Sequence, residues 1–179
     1  MNSDFSVVVI IIVSLIFSAF FSGMEIAFLS SNQLRFELEK KKRSLTSRIL
    51  NIFYNDPEQY ISTLLVGNNI ALVIYGIKMA ELLSPVFEQW VHNDMLVNVL
   101  QTIAATIIVL ITGEFLPKTI FRVNPNLWLQ IFAPFLWLCY VVMYPVARFT
   151  TLLSVGLLRL FRVKIDRTEQ RRQLGLVDL

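Results

Sequence analysis

The chain has 179 residues, of which 55% are hydrophobic and 16% charged, and its formal net charge is +3. Soluble domains carry about 25% charged residues, so this composition indicates an integral membrane protein and argues against a nucleic-acid-binding domain. Cys139 is the single cysteine and His92 the single histidine. A disulfide framework within the chain and a cysteine-based zinc site are therefore excluded.

Three apolar stretches, at about residues 5–29, 64–83 and 95–116, are long enough to cross a bilayer as single helices. No basic segment precedes the first stretch, so we expect a retained helix rather than a cleaved signal peptide. The predicted fold class is therefore an all-α integral membrane domain with three transmembrane helices.

A fourth apolar stretch, at about residues 127–161, is longer than one span and contains Pro134 and Pro145. Its Trp and Tyr side chains suit the headgroup level, and Arg148 and Arg159 can reach the membrane surface from a helix that lies on the inner leaflet. We therefore expect a juxtamembrane belt helix here. A fourth span over residues 127–144, kinked at Pro134, is the alternative.

The link between the first two spans predicts a hairpin of short cytoplasmic helices. Asn32 can cap a first helix over residues 34–42, and a second is expected over residues 44–54. Asp56 and Pro57 then suit the N-cap and first position of the helix that leads into the second span.

Positive charge predicts the orientation of the chain. The segment 30–56 holds six Lys and Arg residues, whereas the segment 85–94 holds none. Because basic residues gather on the cytoplasmic side, we expect the N-terminus outside and the C-terminus inside the plasma (inner) membrane. Residues 1–162 then form the transmembrane domain, and residues 163–179 form a cytoplasmic tail.

Polar residues recur along one face of the first span. Ser14, Ser18, Ser22 and Glu25 are spaced by four, four and three residues, which places them in a narrow stripe of a helix. Small polar residues can serve helix packing alone, and for Ser14 that explanation is as good as a functional one. For Ser22, which lies beside a glycine and one turn before Glu25, we favour a role in a site.

The second span contains Gly67, Asn68 and Asn69 in its first part. A helix cap or kink is the simple explanation. The alternative is a broken helix in which the glycine frees a backbone carbonyl, as occurs at ion sites inside membranes. Further along the same helix, Lys78 and Glu81 are three residues apart and predict an ion pair.

The third span ends with Gly113 and Glu114, shortly before Pro117 and Lys118. Proline removes a backbone donor and so ends or kinks a helix, which frees carbonyls one turn earlier, including that of Gly113. Lys118 can neutralise Glu114 when no ion is bound.

The predicted topology brings Ser22, Asn68, Asn69 and Glu114 to a similar depth near the inner surface. One carboxylate with several neutral oxygens suits a hard cation, whereas the lack of Cys and the distant His92 argue against zinc or copper. Ser18 and the carbonyls of Gly67 and Gly113 are further candidate ligands on the same argument.

Three segments of the chain together resemble the DUF21 transmembrane domain of the CorB/CorC and CNNM (cyclin M) magnesium transporters, over about residues 6–161. They are Phe21–Ala27 (FSGMEIA), Asp56-Pro57 with Thr63–Asn69 (TLLVGNN), and Gly113–Lys118 (GEFLPK). Their shared order makes the resemblance specific.

The resemblance implies three spans, a pair of short cytoplasmic helices, a belt helix and a homodimer within the lipid bilayer. It also implies Mg²⁺ efflux from an inward-facing polar cavity by alternating access, with Na⁺ as the coupling ion. By motif match, Ser22, Asn68 and Glu114 correspond to the family's Mg²⁺ ligands.

The sequence departs from the family pattern in two respects. Many relatives carry an asparagine where this chain has Leu72, and full-length relatives continue into nucleotide-binding CBS domains that the present sequence does not contain. A non-transporting scaffold or Mg²⁺ sensor is therefore the alternative function. An enzyme is not expected, because His92 lies in the predicted outer loop without a nucleophile nearby.

Overall fold

The computed structural model describes residues 2–31 and 45–160, and these ranges contain helices and short connections but no strand. The helices are α1 (Asn2–Leu29), α2 (Leu45–Asn55), α3 (Pro57–Glu88), α4 (Asp94–Val109), a π-helical turn (Leu110–Phe115), α5 (Leu116–Val123) and α6 (Pro125–Leu160). The predicted all-helical fold is confirmed for this part of the chain.

Within residues 2–31 and 45–160, four helical stretches are long and apolar enough to cross a membrane: Phe5–Leu29, Pro57–Glu88, Asp94–Val123 and Pro125–Thr150. The first three contain the predicted spans. The fourth belongs to α6, which is one continuous helix and fits either a belt or a span by length and composition. The count of three spans and the belt assignment therefore stay predictions.

The start of α3 follows the predicted capping chemistry. Asp56 is the N-cap, its carboxylate accepts a hydrogen bond from the backbone N–H of Gln59 at 3.3 Å, and Pro57 occupies the first turn. The short helix expected over residues 44–54 is found as α2. The helix expected over residues 34–42 lies outside the described residues.

The end of the bundle next to α2 is held by aromatic packing. The ring of Tyr60 on α3 lies 4.5 Å from that of Phe28 on α1 and 4.4 Å from that of Phe53 on α2. All three side chains are buried. The hydroxyls of Ser31 and Tyr54 share a hydrogen bond at 2.5 Å, which fixes α2 to the end of α1.

Helix α1 lies at the centre of the bundle, where it packs against α3, α5, α6 and the π-helical turn. Its contact with α5 is close at Gly23, where an added Cβ would lie 2.7 Å from the ring of Phe121. At the opposite end, the hydroxyl of Tyr75 donates to the carbonyl of Ala105 at 2.9 Å and so joins α3 to α4. These contacts place the polar stripe of α1 inside the bundle.

Candidate functional site

Ser18 and Asn68 meet between α1 and α3. The Ser18 hydroxyl donates a hydrogen bond to Asn68 Oδ1 at 2.8 Å, and Ser18 is fully buried. Asn68 is partly buried, whereas the next residue, Asn69, is exposed. The predicted convergence of the first and second spans is therefore present at Asn68, and Asn69 lies to one side of it.

Gly113 brings the third span to the same point. A Cβ added to Gly113 would lie 3.1 Å from Ser18 Oγ and 3.0 Å from a methyl carbon of Val109. The missing side chain thus leaves room for Ser18 against the π-helical turn. Three helical segments distant in sequence contribute to one small polar region, which we call the Ser18 cluster (Ser18, Asn68 and Gly113).

At Pro117, where the sequence predicts that the helix ends or kinks, the helix continues after a change in its hydrogen-bond register. The N–H of Leu116 bonds the carbonyl of Ile111, five residues back, within the π-helical turn that contains Glu114. Pro117 then offers no N–H, and the helix continues as α5. Single π-helical turns inside α-helices occur frequently at functional sites, because they alter which backbone groups are bonded.

Ser22 lies one turn after Ser18 on α1 and is 1% exposed. Among residues 2–31 and 45–160, its hydroxyl has no hydrogen-bond partner. A buried hydroxyl without a partner costs about 1–3 kcal/mol, so such groups call for an explanation such as an ion or a bound water. Ser22 is therefore the predicted ligand with the strongest individual support.

Glu114 is the residue after Gly113 on the π-helical turn, and its side chain is 32% exposed. One carboxylate oxygen lies 4.0 Å from Lys118 Nζ, one turn further on. The expected pairing of Glu114 with Lys118 is therefore found, at a distance that leaves the carboxylate open to another cation.

Of the two explanations considered for Gly67, a helix cap or kink and a broken helix, the broken helix is wrong. Helix α3 runs without interruption from Pro57 to Glu88, so the glycine does not interrupt its hydrogen-bond ladder. Instead, a Cβ at Gly67 would lie 2.7 Å from the ring of Phe21, which makes this glycine a point of close packing. A ligand role for the Gly67 carbonyl stays a prediction that has lost its supporting argument.

Sequence reasoning missed two features of this region. It did not pair Ser18 with Asn68, because a hydrogen bond between residues 50 positions apart leaves no pattern in a single sequence. It also missed Phe21 as the partner of Gly67, since nothing distinguishes this phenylalanine from its neighbours on α1.

The predicted pair of Lys78 with Glu81 is confirmed at 2.7 Å, and both side chains are partly exposed.

The chemistry available here is that of neutral oxygens and one carboxylate. In the two described ranges, no group of three or more His, Cys, Asp or Glu side chains could hold a metal ion. A cation bound near the Ser18 cluster would use hydroxyl, amide and backbone oxygens, with Glu114 as the nearest carboxylate in sequence. Such a ligand set suits Mg²⁺ or another hard cation rather than a transition metal.

The chain is similar to known proteins over most of its length. The cyclin M transmembrane N-terminal domain (CNNM) family model matches residues 9–174. The UPF0053 protein MG146 of Mycoplasma genitalium is 28% identical over 152 residues, covering 80% of this chain and 35% of the relative. The UPF0053 inner membrane protein YfjD of Escherichia coli is 26% identical over 149 residues, covering 83% and 33% respectively. The chain thus spans about a third of the length of these curated relatives.

Proposed function

Because this chain belongs to the cyclin M transmembrane-domain family, we propose that it binds Mg²⁺ in a polar cavity open to the cytoplasm and moves it across the membrane by alternating access. One observation carries the proposal. The buried Ser22 hydroxyl, which has no partner among the described residues, lies one turn from the Ser18 cluster, where α1, α3 and the π-helical turn meet.

Each proposed ligand has a distinct role. Glu114 supplies negative charge, and Ser22 and Asn68 supply neutral oxygens. Asn68 Oδ1 accepts one hydrogen bond from Ser18, and a carbonyl oxygen has a second lone pair that can face an ion. Ser18 therefore orients the amide of Asn68, and Asn69 and the Gly113 carbonyl are secondary candidates.

Mg²⁺ demands nearly octahedral oxygen geometry and gives up its waters reluctantly. A site with one carboxylate and few neutral side chains suits an ion that retains part of its water shell. Partial hydration also favours transport, since an ion held by few direct ligands is released more easily. We propose efflux coupled to Na⁺ entry as the direction of this transport.

We propose that the protein is a homodimer in the plasma (inner) membrane. Its N-terminus then lies outside and its C-terminus in the cytoplasm. The positive-inside pattern supports this orientation, since the segment between α1 and α3 holds six basic residues. The Escherichia coli relative is named as an inner membrane protein, which supports the location.

Flux through reconstituted liposomes that contain a Mg²⁺-sensitive dye tests the function. Wild-type protein is expected to carry Mg²⁺ flux, and Glu114→Gln is expected to abolish both flux and Mg²⁺ binding measured by calorimetry. Glu81→Gln is the matched control, because it removes a carboxylate that pairs with Lys78 away from the Ser18 cluster, and it is expected to lower flux only modestly. Mg²⁺ binding by wild-type protein without flux would instead support a scaffold or sensor.

A further inference from the structure

A second polar feature lies on the outside of the bundle, where the end of α1 meets α5. It is an open groove of about 420 Å³. The residues that line it, which we call the basic groove, are Ile26, Phe115, Lys118, Thr119, Arg122 and Val123. The groove thus combines two cations and a hydroxyl with three apolar side chains.

The two cations lie on one face of a helix. Lys118 and Arg122 are four residues apart on α5, a spacing that brings side chains together on a helix surface. Phe115 and Val123 lie close to them along the chain and are both largely exposed. Positive charge beside exposed apolar surface matches a molecule that has an anionic head and a hydrocarbon body.

The position of the groove along the bundle agrees with the depth of lipid headgroups. Ile26 lies near the end of α1, a few residues before the segment 30–56 with its six basic residues. By the positive-inside rule this end of the bundle faces the inner leaflet, where anionic lipids concentrate. A groove at this level meets lipid phosphates and the beginning of the acyl chains.

We propose that the basic groove binds an anionic phospholipid of the inner leaflet, with its phosphate between Lys118 and Arg122 and an acyl chain against Phe115, Ile26 and Val123. A small free anion would leave the apolar side chains of the groove uncovered. Basic pockets beside transmembrane helices on the cytoplasmic side are a recurring mode of lipid recognition.

Lys118 also connects the groove to Glu114, from which its amine is 4.0 Å distant. A phosphate that attracts Lys118 weakens its hold on Glu114 and leaves the carboxylate more available to a cation. If Glu114 binds Mg²⁺ as proposed above, anionic lipid and Mg²⁺ bind cooperatively, and the coupling is reciprocal. This consequence rests on the proposed Mg²⁺ binding, whereas the lipid site itself rests only on the predicted orientation of the chain.

Lipid titration of the purified full chain, followed by native mass spectrometry with EDTA present, tests the groove without Mg²⁺. Phosphatidylglycerol is expected to bind more tightly than phosphatidylcholine with the same acyl chains. The double variant Lys118→Gln/Arg122→Gln is expected to bind phosphatidylglycerol about tenfold to thirtyfold more weakly, from the contribution of each basic residue near an anionic membrane. The control Lys78→Gln removes a positive charge outside the groove and is expected to bind as wild type does.

Equal binding of the two lipids, or equal loss of binding in the control variant, would overturn the proposal. Inorganic phosphate and glycerol phosphate form a separate arm of the experiment. If either displaces phosphatidylglycerol at a comparable concentration, the groove is an anion site and the lipid assignment is wrong. Gel-filtration profiles that match wild type establish that each variant is folded before its binding is compared.

Discussion

The hydroxyl of Ser18 donates a hydrogen bond to the side-chain carbonyl of Asn68 over 2.8 Å and thereby joins α1 to α3 within the helix packing. Ser14, one turn earlier on the same stripe, bonds instead to the carbonyl of Ile10 in its own helix. Two serines of one polar face therefore have different roles, since one links helices and the other does not.

Ser18→Ala is expected to destabilise the domain by about 0.6–1.7 kcal/mol, from the average to the largest value found for hydrogen bonds between membrane helices. The reason is that Asn68 loses a partner inside the bundle. Unfolding in mixed detergent micelles, followed by circular dichroism, measures the difference from wild type. Ser14→Ala is the control and is expected to cost less, because its hydroxyl bonds only its own helix. Equal losses for the two variants would contradict a linking role for Ser18.

Two glycines on α3 provide a matched test of close packing. Gly67→Ala is expected to cost about 1–3 kcal/mol, because its Cβ would meet the ring of Phe21 at 2.7 Å. Gly76→Ala is expected to be neutral or stabilising by up to about 1 kcal/mol, because nothing lies within 4 Å of its Cβ and alanine favours helix.

Thermal unfolding of the two glycine variants in the same detergent measures the contrast. Adding Phe21→Leu to Gly67→Ala is expected to recover part of the lost stability, because a smaller side chain frees space at the contact. The absence of any rescue would show that the cost at Gly67 arises elsewhere.

The sequence predicted the elements of the fold more fully than the way in which they meet. Hydropathy and capping residues located the spans, the start of α3 at Asp56 and the short helix α2, because these depend on residues close together in the chain. The pairing of Ser18 with Asn68 and the contact of Gly67 with Phe21 depend on how whole helices are aligned. A single sequence carries no signal for that alignment.

The π-helical turn shows a similar limit within one segment. Pro117 predicts a disturbed helix, and a disturbed helix is found. Whether the chain responds by ending the helix or by shifting its register depends on packing around Gly113, where Ser18 approaches closely. Local propensity therefore located the disturbance, and tertiary packing selected its form.

Lys118→Gln is expected to strengthen Mg²⁺ binding in a detergent without anionic lipid. Lys118 Nζ lies 4.0 Å from the Glu114 carboxylate and competes with an added cation for the same negative charge. Both groups are partly exposed, so we expect an increase in affinity of about twofold to fivefold, as for a solvent-screened pair. Calorimetric titration with Mg²⁺ measures it.

The matched control for this prediction is Lys78→Gln, which releases Glu81 from an equivalent helical pair. It is expected to leave Mg²⁺ affinity unchanged, because the Lys78–Glu81 pair lies on α3, whereas Glu114 lies on the π-helical turn. A similar gain in both variants would indicate a general effect of net charge and would count against a specific competition at Glu114.

Burial raises the pKa of Tyr54 on α2, and the hydrogen bond with Ser31 offsets part of that rise. The folded state therefore keeps the phenol protonated at a pH where the unfolded chain, with a pKa near 10, loses the proton. The resulting stabilisation is complete below about pH 10 and is lost as the pH rises above it. Limited proteolysis of α2 between pH 8 and 11 is expected to accelerate at the upper end.

Tyr54→Phe separates titration from packing at this position. The variant keeps the ring next to Phe28 but has no proton to lose, so its proteolysis is expected to depend less on pH above 10. It also loses the hydrogen bond to Ser31, so cleavage at pH 8 is expected to be faster than in wild type. An unchanged pH profile would assign the alkaline sensitivity to another group.

The path of α6 decides between a belt helix and a fourth span. At 36 residues it is about 54 Å long, and its stretch Pro125–Thr150 is long and apolar enough to cross the ~30 Å hydrocarbon core, so length alone does not decide between the two. We expect both of its ends on the cytoplasmic side. Single cysteines at Asn124 and Gly156 in a Cys139→Ser background test this with a membrane-impermeant maleimide. Both positions accept the change, since Asn124 is exposed and nothing lies within 4 Å of a Cβ at Gly156.

Belt geometry predicts that Asn124→Cys and Gly156→Cys react only in inside-out vesicles. His92→Cys, in the exposed connection between α3 and α4, supplies the reference for the opposite side and is expected to react only from outside. Reaction of the Gly156 position together with the His92 position would establish a fourth span. The end of α6 would then lie outside, and residues 161–179 would follow it there, against the positive-inside pattern from which the cytoplasmic C-terminus was inferred.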